Sequence, residues 1–175
     1  TFYPGLFNGS VISKNEMDWY FRGQMLGAIT AGKANSLPVR HSQAGSSRHY
    51  PKGASVLYML QHLLGRDNFR RSIQLYLERN MFATVETWDL QKAIVDATGI
   101  NMDWFFDQWI HRGGEPKVKV TTQNAVQNGE NGIEFTVEQI QKVDPVVSVF
   151  KMPTDIAIYF KDGSVNRQTV MIDKA

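Results

Sequence analysis

The stretch "RHYPKGASVLYML", Arg48 to Leu60, places a tyrosine in front of a proline at the start of an apolar helical pattern. A proline disfavours the helical conformation for the residue before it, so we predict that Tyr50 is extended. Pro51 suits the first turn of a helix, where its missing N–H group costs nothing. Gly53 permits another part of the molecule to approach the backbone closely. The stretch therefore predicts a tyrosine held just outside a buried helix.

The sequence around this stretch, up to about residue 114, has the periodicity of short helices joined by turns. The first predicted helix follows the capping-box sequence Ser13–Glu16, and its apolar positions are Met17, Tyr20, Phe21 and Met25. The other predicted helices cover residues 55–65, 67–80, 88–99 and 102–114. Thr87 and Asn101 are the predicted N-caps of the last two helices, and Gly65 and Gly99 are predicted helix stops.

The character of the sequence changes at "GGEPK", residues 113–117. Beyond it we predict short strands at 117–123, 132–140, 145–150, 155–160 and 166–172, because these runs are rich in β-branched and aromatic residues. Residues 124–132 read as a polar loop and 161–164 as a hairpin turn. The predicted fold class is α+β, with an all-α helical array over 1–114 followed by a small antiparallel β-sandwich over 115–175. Ala175 directly follows a predicted strand, which is also consistent with an incomplete sandwich.

Composition limits the classes of protein and partner. The 175 residues carry a net charge of +2 and include no cysteine, which excludes disulfides and thiolate metal sites. Neither part is basic enough to indicate a nucleic-acid surface. No apolar run approaches the roughly 18 residues of a membrane span, and no signal peptide is visible. Because the chain starts at Thr1 without a leader, we expect a mature protein or a piece of a longer one.

Spacing alone reveals no complete active site. The histidines are His41, His49, His62 and His111, and no two of them have the i, i+4 spacing of a helical zinc site. His41 and His49 flank a Gly/Ser-rich loop in which they could converge. The residue types of a Ser-His-Asp triad are present, but no sequence signature of such a triad is. The sequence also has no Gly-rich phosphate loop.

Three further groups of residues have an ordinary structural interpretation. The basic cluster Arg66, Arg70 and Arg71 could contact phosphate, but such groups are more often a solvated helix face. The sequon at Asn8 occurs readily by chance. The aromatic group Trp104, Phe105, Phe106 and Trp109 is expected in the core, or in the seam between the two parts, rather than in a ligand cage.

The order of motifs resembles the C-terminal half of the catalytic domain of M1-family zinc aminopeptidases. The similarity covers roughly residues 30–120 well and the strands beyond loosely. Its Y-x-K-G-A motif is matched at Tyr50–Ala54, and "LPV" at 37–39 resembles the segment that the family places before it. The remaining matches are Gly65, Phe69, Asp89, Leu90, Gly99, Phe105, Phe106, Gln108, Trp109, Gly114 and Pro116.

The resemblance implies a role for Tyr50. In the family the matching tyrosine donates its phenolic hydrogen bond to the oxyanion of the tetrahedral intermediate, a role that suits a neutral donor with a pKa near 10. Lys52 and Gly53 are read as positional. The alternative is a packed tyrosine whose hydroxyl is satisfied locally.

The sequence also departs from the family. The H-E-x-x-H helix, the later glutamate ligand and the G-x-M-E-N segment are absent, and they would precede residue 1. We therefore expect an excerpt of a zinc aminopeptidase that acts on peptides. By itself this chain would bind no zinc, be inactive, and need the missing N-terminal catalytic half as its partner.

A rival hypothesis is a non-catalytic protein- or peptide-binding module on the same scaffold, with a sheet edge near Ala175 open to a partner strand. The sequence does not reveal the preferred amino-terminal residue, the compartment or the oligomeric state.

Overall fold

The structure, a computed structural model, describes residues 14–127 and 129–174. The chain divides into two compact units, and the boundary lies between Gly113 and Gly114. Helices precede the boundary and strands follow it, which confirms the predicted α+β class. The assignment of the two parts to a catalytic domain and a sandwich domain stays a prediction.

The helical unit contains the array that the sequence predicted. Within its described residues the helices are α1 (Lys14–Gly32), α2 (Ser46–Leu64), α3 (Arg66–Arg79), α4 (Thr87–Thr98) and α5 (Asp103–Phe106). The last of these continues as a π-helical turn over Asp107–His111, and a 3₁₀ turn over Ser42–Ala44 precedes α2. Gly65 and Gly99 end α2 and α4 with φ of 77° and 73°, as expected of glycine stops. The predicted capping residue Ser13 lies outside the described residues.

The predicted start of α2 was wrong. The helix begins at Ser46, so Tyr50 is helical rather than extended and Pro51 lies inside the helix rather than in its first turn. Gly45, with φ of 80° and ψ of 159°, provides the N-cap conformation. An internal proline costs one backbone hydrogen bond. Tertiary contacts of the first two turns, described below, outweigh this cost.

Two predicted caps are displaced by one residue. Glu86, not Thr87, is the N-cap of α4, and its amide donates to Asp89 Oδ2 at 2.8 Å. Met102 is the N-cap of α5, but the Asn101 side chain still accepts the amide hydrogen of Asp103 at 2.7 Å.

The core of the helical unit is apolar and partly aromatic. Phe105, Phe106 and Trp109 are buried, which confirms the core interpretation for these three residues, whereas Trp104 is only partly buried. They share the interior with residues from the four longer helices: Phe21, Ala28, Val56, Leu60, Leu64, Phe69, Ala93 and Ile94. Burial of these stripes, rather than helix propensity, stabilises helices of this length.

The described part of the second unit consists of two antiparallel hairpins. Strand β1 (Val118–Gln127) pairs with β2 (Glu130–Gln139), and β3 (Met152–Tyr159) pairs with β4 (Val165–Ile172). Each pair forms its own two-stranded sheet. The pairing of Val120 with Val137 and of Thr122 with Phe135 puts the predicted apolar alternation of β2 on one face.

Two strand assignments in this unit were wrong. Residues 124–132 were predicted as a loop, but β1 and β2 extend through most of this range to a turn containing Gly129, whose φ is 81°. Residues 145–150 were predicted as a strand and are irregular. At Phe150 the buried Gln139 side chain takes the place of the backbone hydrogen bonds that a paired strand would make. Its Oε1 accepts from Phe150 N at 2.9 Å, and its Nε2 donates to Phe150 O at 2.7 Å. A side-chain amide thus satisfies backbone groups that a neighbouring strand would otherwise pair.

Candidate functional site

Tyr50 lies on α2, five residues after its N-cap Gly45, and is 64% exposed. The hydroxyl makes no hydrogen bond to any residue that the structure describes, so the interpretation as a locally satisfied, packed tyrosine is not favoured. An exposed phenol on a helix has a fixed Cα–Cβ direction and a free O–H donor.

The first two turns of α2 are fastened to the segment before them. The Arg48 side chain is completely buried, and its Nε donates to the carbonyl oxygen of Leu37 at 2.7 Å. The His49 ring nitrogen Nε2 lies 3.0 Å from the carbonyl oxygen of His41. These contacts hold the turn of α2 just before Tyr50 to residues 37–41. Sequence reasoning missed Arg48, because a charged residue normally indicates an exposed position.

The same segment is attached to the helical end of the unit. Arg40 N donates to Ile110 O at 3.5 Å, one of the carbonyl groups that a helix C-terminus leaves without an internal partner. Burial, followed by the charge of Arg40, holds the pKa of His111 below its usual value. His111 is therefore predominantly neutral at neutral pH. A neutral ring avoids placing another positive charge beside Arg40.

On another side, α2 packs against α1 through Tyr58. The Tyr58 hydroxyl donates to Asp18 Oδ1 at 2.7 Å, and its ring stacks on Phe21 with the centroids 4.0 Å apart. Burial, and then the hydrogen bond to Asp18, raise the pKa of Tyr58 to about 12. Tyr58 is therefore the packed and satisfied tyrosine of α2, in contrast to Tyr50.

The other residues of the tyrosine motif are placed differently from one another. Lys52 is buried, which fits a positional role rather than contact with a substrate in solution. Gly53 is open: apart from its chain neighbours and the backbone of its own helix, no described heavy atom would lie within 4 Å of a Cβ added there. The described chain supplies no partner for the close approach that Gly53 permits.

The remaining candidates do not form a site. No group of three His, Cys, Asp or Glu residues among those described could hold a metal ion. His41 and His49 do come together, but through a ring nitrogen and a backbone carbonyl. Arg66, Arg70 and Arg71 are exposed on α3, as expected of a solvated face. Within the described residues, no helix has the length and apolar character needed to cross a bilayer.

The second unit has an apolar groove of its own. A cavity of about 470 Å³ opens between the two hairpins. Phe135 and Val137 of β2 line one wall, and Ile156, Ile158 and Val170 are among the residues of the other. The apolar faces of both hairpins are thus turned towards a space that they fill only in part.

Comparisons with known proteins concern mainly the helical unit. Residues 37–109 match the family model described as Peptidase family M1 domain. The chain is 30% identical over 129 residues to Tricorn protease-interacting factor F2 of Thermoplasma volcanium, covering 74% of this chain and 16% of that protein. It is 31% identical over 126 residues to Probable aminopeptidase 1 of Saccharolobus solfataricus, covering 71% of this chain and 15% of that protein. It is 25% identical over 174 residues to Glutamyl aminopeptidase of Homo sapiens, covering 88% of this chain and 16% of that protein. The chain therefore spans about one sixth of the length of these relatives.

Proposed function

Since the chain belongs to peptidase family M1 through residues 37–109, we propose that it is part of a zinc aminopeptidase that removes amino-terminal residues from peptides. In this proposal Tyr50 is the catalytic residue that the chain contributes. Its phenol donates a hydrogen bond to the oxyanion that forms when water adds to the scissile carbonyl group.

The observation that carries the proposal is the exposed phenol of Tyr50 inside the family segment. Its hydroxyl is not used by any described residue, and the helix beneath it is anchored through Arg48 and His49. A donor that stabilises an oxyanion has to be fixed before the reaction and uncommitted to other groups. A phenol also remains protonated at neutral pH, so it donates without a change of charge.

The rest of the active site is expected outside the described residues. Zinc is bound by three or four nitrogen, sulfur or oxygen ligands, and the described part of the chain offers no such group. The metal and the general base therefore belong, in this proposal, to a larger protein, since the matched part is only about one sixth of each relative. The 175-residue chain alone is expected to hydrolyse no peptide.

The test begins with the reading frame upstream of Thr1, where an H-E-x-x-H helix and a later glutamate are expected. In the full-length protein, Tyr50→Phe should lower kcat by about 10²–10³, the usual effect of removing one oxyanion donor. The thermal midpoint should not change, because the phenol is exposed and makes no hydrogen bond to a described residue. Tyr159→Phe is a matched control, since Tyr159 is also exposed but lies on β3. An upstream region without zinc ligands, or full turnover in Tyr50→Phe, would contradict the proposal.

The groove between the hairpins favours a second candidate, a non-catalytic module that binds a peptide or protein segment. Its lining is mainly apolar but includes Gln168, Asp173 and Lys174. Among the described residues each sheet has two strands, so each strand has an edge to which a further strand could pair. The two candidates differ in their dependence on Tyr50. A binding module would retain its ligand affinity in the Tyr50→Phe variant, whereas the enzyme would lose turnover.

A further inference from the structure

Pro51 removes a hydrogen bond from the interior of α2. The helix begins at Ser46, so the residue at position 51 would normally donate its amide hydrogen to the carbonyl oxygen of Ser47. Proline has no amide hydrogen, and its ring crowds that carbonyl group, so a proline in a helix interior bends or breaks the helix. The helix nevertheless continues unbroken to Leu64. It therefore accommodates the residue that is least favourable at such a position.

A second contact at Pro51 acts in the same direction. Ser55 is buried, and its Oγ donates to the carbonyl oxygen of Pro51 at 2.8 Å. A serine hydroxyl that bonds back to the carbonyl group four residues earlier often bends a helix. Two features that favour a bend thus meet at the residue directly after Tyr50.

The ring of Pro51 lies close to α1. A Cβ added to Gly27 of α1 would lie 3.5 Å from Cβ and 3.7 Å from Cγ of Pro51, which is ordinary van der Waals distance. The ring therefore faces α1 at a residue that has no side chain. The turn before Tyr50 is held by its hydrogen bonds to residues 37–41. Tyr50 thus lies between two parts of α2 that are each fixed by tertiary contacts.

We propose that Pro51 is a positioning residue for Tyr50. The missing hydrogen bond to Ser47 and the contact with α1 set the direction of the turn that carries the phenol. The inference rests on the proposed function, in which the phenol has to be held to within about 0.5 Å of its productive position. Unfavourable backbone features of this kind persist where the surrounding structure enforces them, and they are common at functional sites.

The experiment compares Pro51→Ala and Pro51→Val in the full-length protein. Both variants restore an amide that can donate to Ser47, and valine also keeps apolar bulk near Gly27. A displacement of about 1 Å at a reacting centre typically costs on the order of 10² in rate. We expect both variants to lower kcat by about ten- to a hundredfold, with KM changed by less than about threefold. Unchanged kcat in either variant would overturn the proposal.

Gly23→Ala is the matched control for a more stable helix. Gly23 lies inside α1, and apart from its chain neighbours and its own helix backbone no described heavy atom would lie within 4 Å of a Cβ there. Alanine stabilises a helix relative to glycine, so this variant strengthens α1 without changing the bend in α2. It should leave kcat and KM unchanged. A loss of kcat equal to that of Pro51→Ala would show that rigidity, not the direction of the turn, is responsible, and would overturn the proposal.

Hydrogen exchange distinguishes a redirected turn from a damaged one. Since alanine is far more favourable than proline inside a helix, the amides of residues 52–54 should exchange about tenfold more slowly in Pro51→Ala than in the unmodified protein. Activity should therefore fall while the helix becomes more stable. Equal or faster exchange would mean that the hydrogen bond to Ser47 is not restored, and the proposal would fail.

A double variant tests whether Pro51 acts through the phenol. If it does, adding Pro51→Ala to Tyr50→Phe should lower kcat by less than about threefold beyond Tyr50→Phe alone. Losses that multiply would contradict the positioning role. If Tyr50→Phe lowers kcat and Pro51→Ala does not, only the positioning role is lost. If Tyr50→Phe has no effect, the proposed function itself fails.

Discussion

Gly114→Ala is expected to destabilise the second unit, called the β-unit below, for two reasons that can be measured separately. Gly114 has φ of 77°, a conformation that costs an L-residue about 1–2 kcal/mol. The new Cβ would also lie 2.6 Å from both Cγ atoms of Val147. Val147 is only 7% exposed, so it cannot turn away freely, and overpacking of this kind typically costs about 1–3 kcal/mol. The expected loss is therefore about 2–5 kcal/mol.

Gly163→Ala isolates the first of these costs. Gly163 has φ of 85° in the turn between β3 and β4, but apart from its chain neighbours no described heavy atom would lie within 4 Å of a Cβ there. This variant should lose only the backbone term of about 1–2 kcal/mol. The difference between the two variants then measures the overlap with Val147.

A double-mutant cycle tests the assignment of this difference. Val147→Ala removes both methyl groups that the new Cβ would contact, so combining it with Gly114→Ala should cost less than the sum of the single changes, by about 1–3 kcal/mol. The assay is urea-dependent hydrogen exchange of the strand amides, which reports on the β-unit separately from the helices. Equal losses in Gly114→Ala and Gly163→Ala, or additive effects with Val147→Ala, would refute the reasoning.

Two other predictions concern stability in the helical unit. Phe82 has φ of 61° and a fully exposed ring. Phe82→Gly should relieve the backbone strain, but it also gives the unfolded chain more conformational freedom. The net increase in the free energy of unfolding should be about 0.5–1 kcal/mol. Phe82→Ala keeps the Cβ and should gain little in urea unfolding; an equal gain would show that the strain is not in the backbone. Tyr58 has its pKa raised to about 12, so its neutral form is favoured in the folded state. Its stabilisation is complete below pH 10 and should be lost as the pH rises from about 10 to about 12. Urea unfolding across the accessible alkaline range should therefore show a shallower decline in Tyr58→Phe, and an unchanged decline would contradict the assignment.

Most helices were predictable because their signals are local. Apolar periodicity and terminal glycines placed α2, α3 and α4 to within a few residues at their C-terminal ends. The errors arose where tertiary contacts override a local preference. Pro51 predicts a helix start, but the burial of Arg48 and its bond to Leu37 extend α2 past the proline. Nothing in a single charged residue reveals that it will be buried.

The strand errors have a similar origin. Residues 145–150 have the composition of a strand, but Gln139 satisfies Phe150 through its side chain. Asp144 Oδ1 accepts the amide hydrogens of Val146 and Val147, which favours a turn at the start of the run. Composition cannot distinguish a buried glutamine that replaces a strand from an exposed one.

The candidate site could be found only in part from the sequence. Motif order singled out Tyr50 as the candidate donor, whereas spacing within the chain singled out no catalytic group. The conformation of Tyr50 was mispredicted for the same reason as the start of α2. The hydrogen bonds of residues 37–41 to α2 and to Ile110 could not be foreseen, because hydrogen bonds between distant backbone and side-chain groups leave no periodic signal in the sequence.

The hydrogen bonds that hold α2 near Tyr50 lie within the segment that matches the family. The family segment runs from residue 37 to residue 109, and two of the hydrogen bonds that support this part of the unit lie at its ends. Leu37 accepts from Arg48, and Arg40 donates to Ile110, so one short segment binds both the helix of Tyr50 and the end of the unit. A catalytic donor is useful only if its position is fixed before the substrate arrives. In the proposed function, the segment shared with the family would support the phenol of Tyr50.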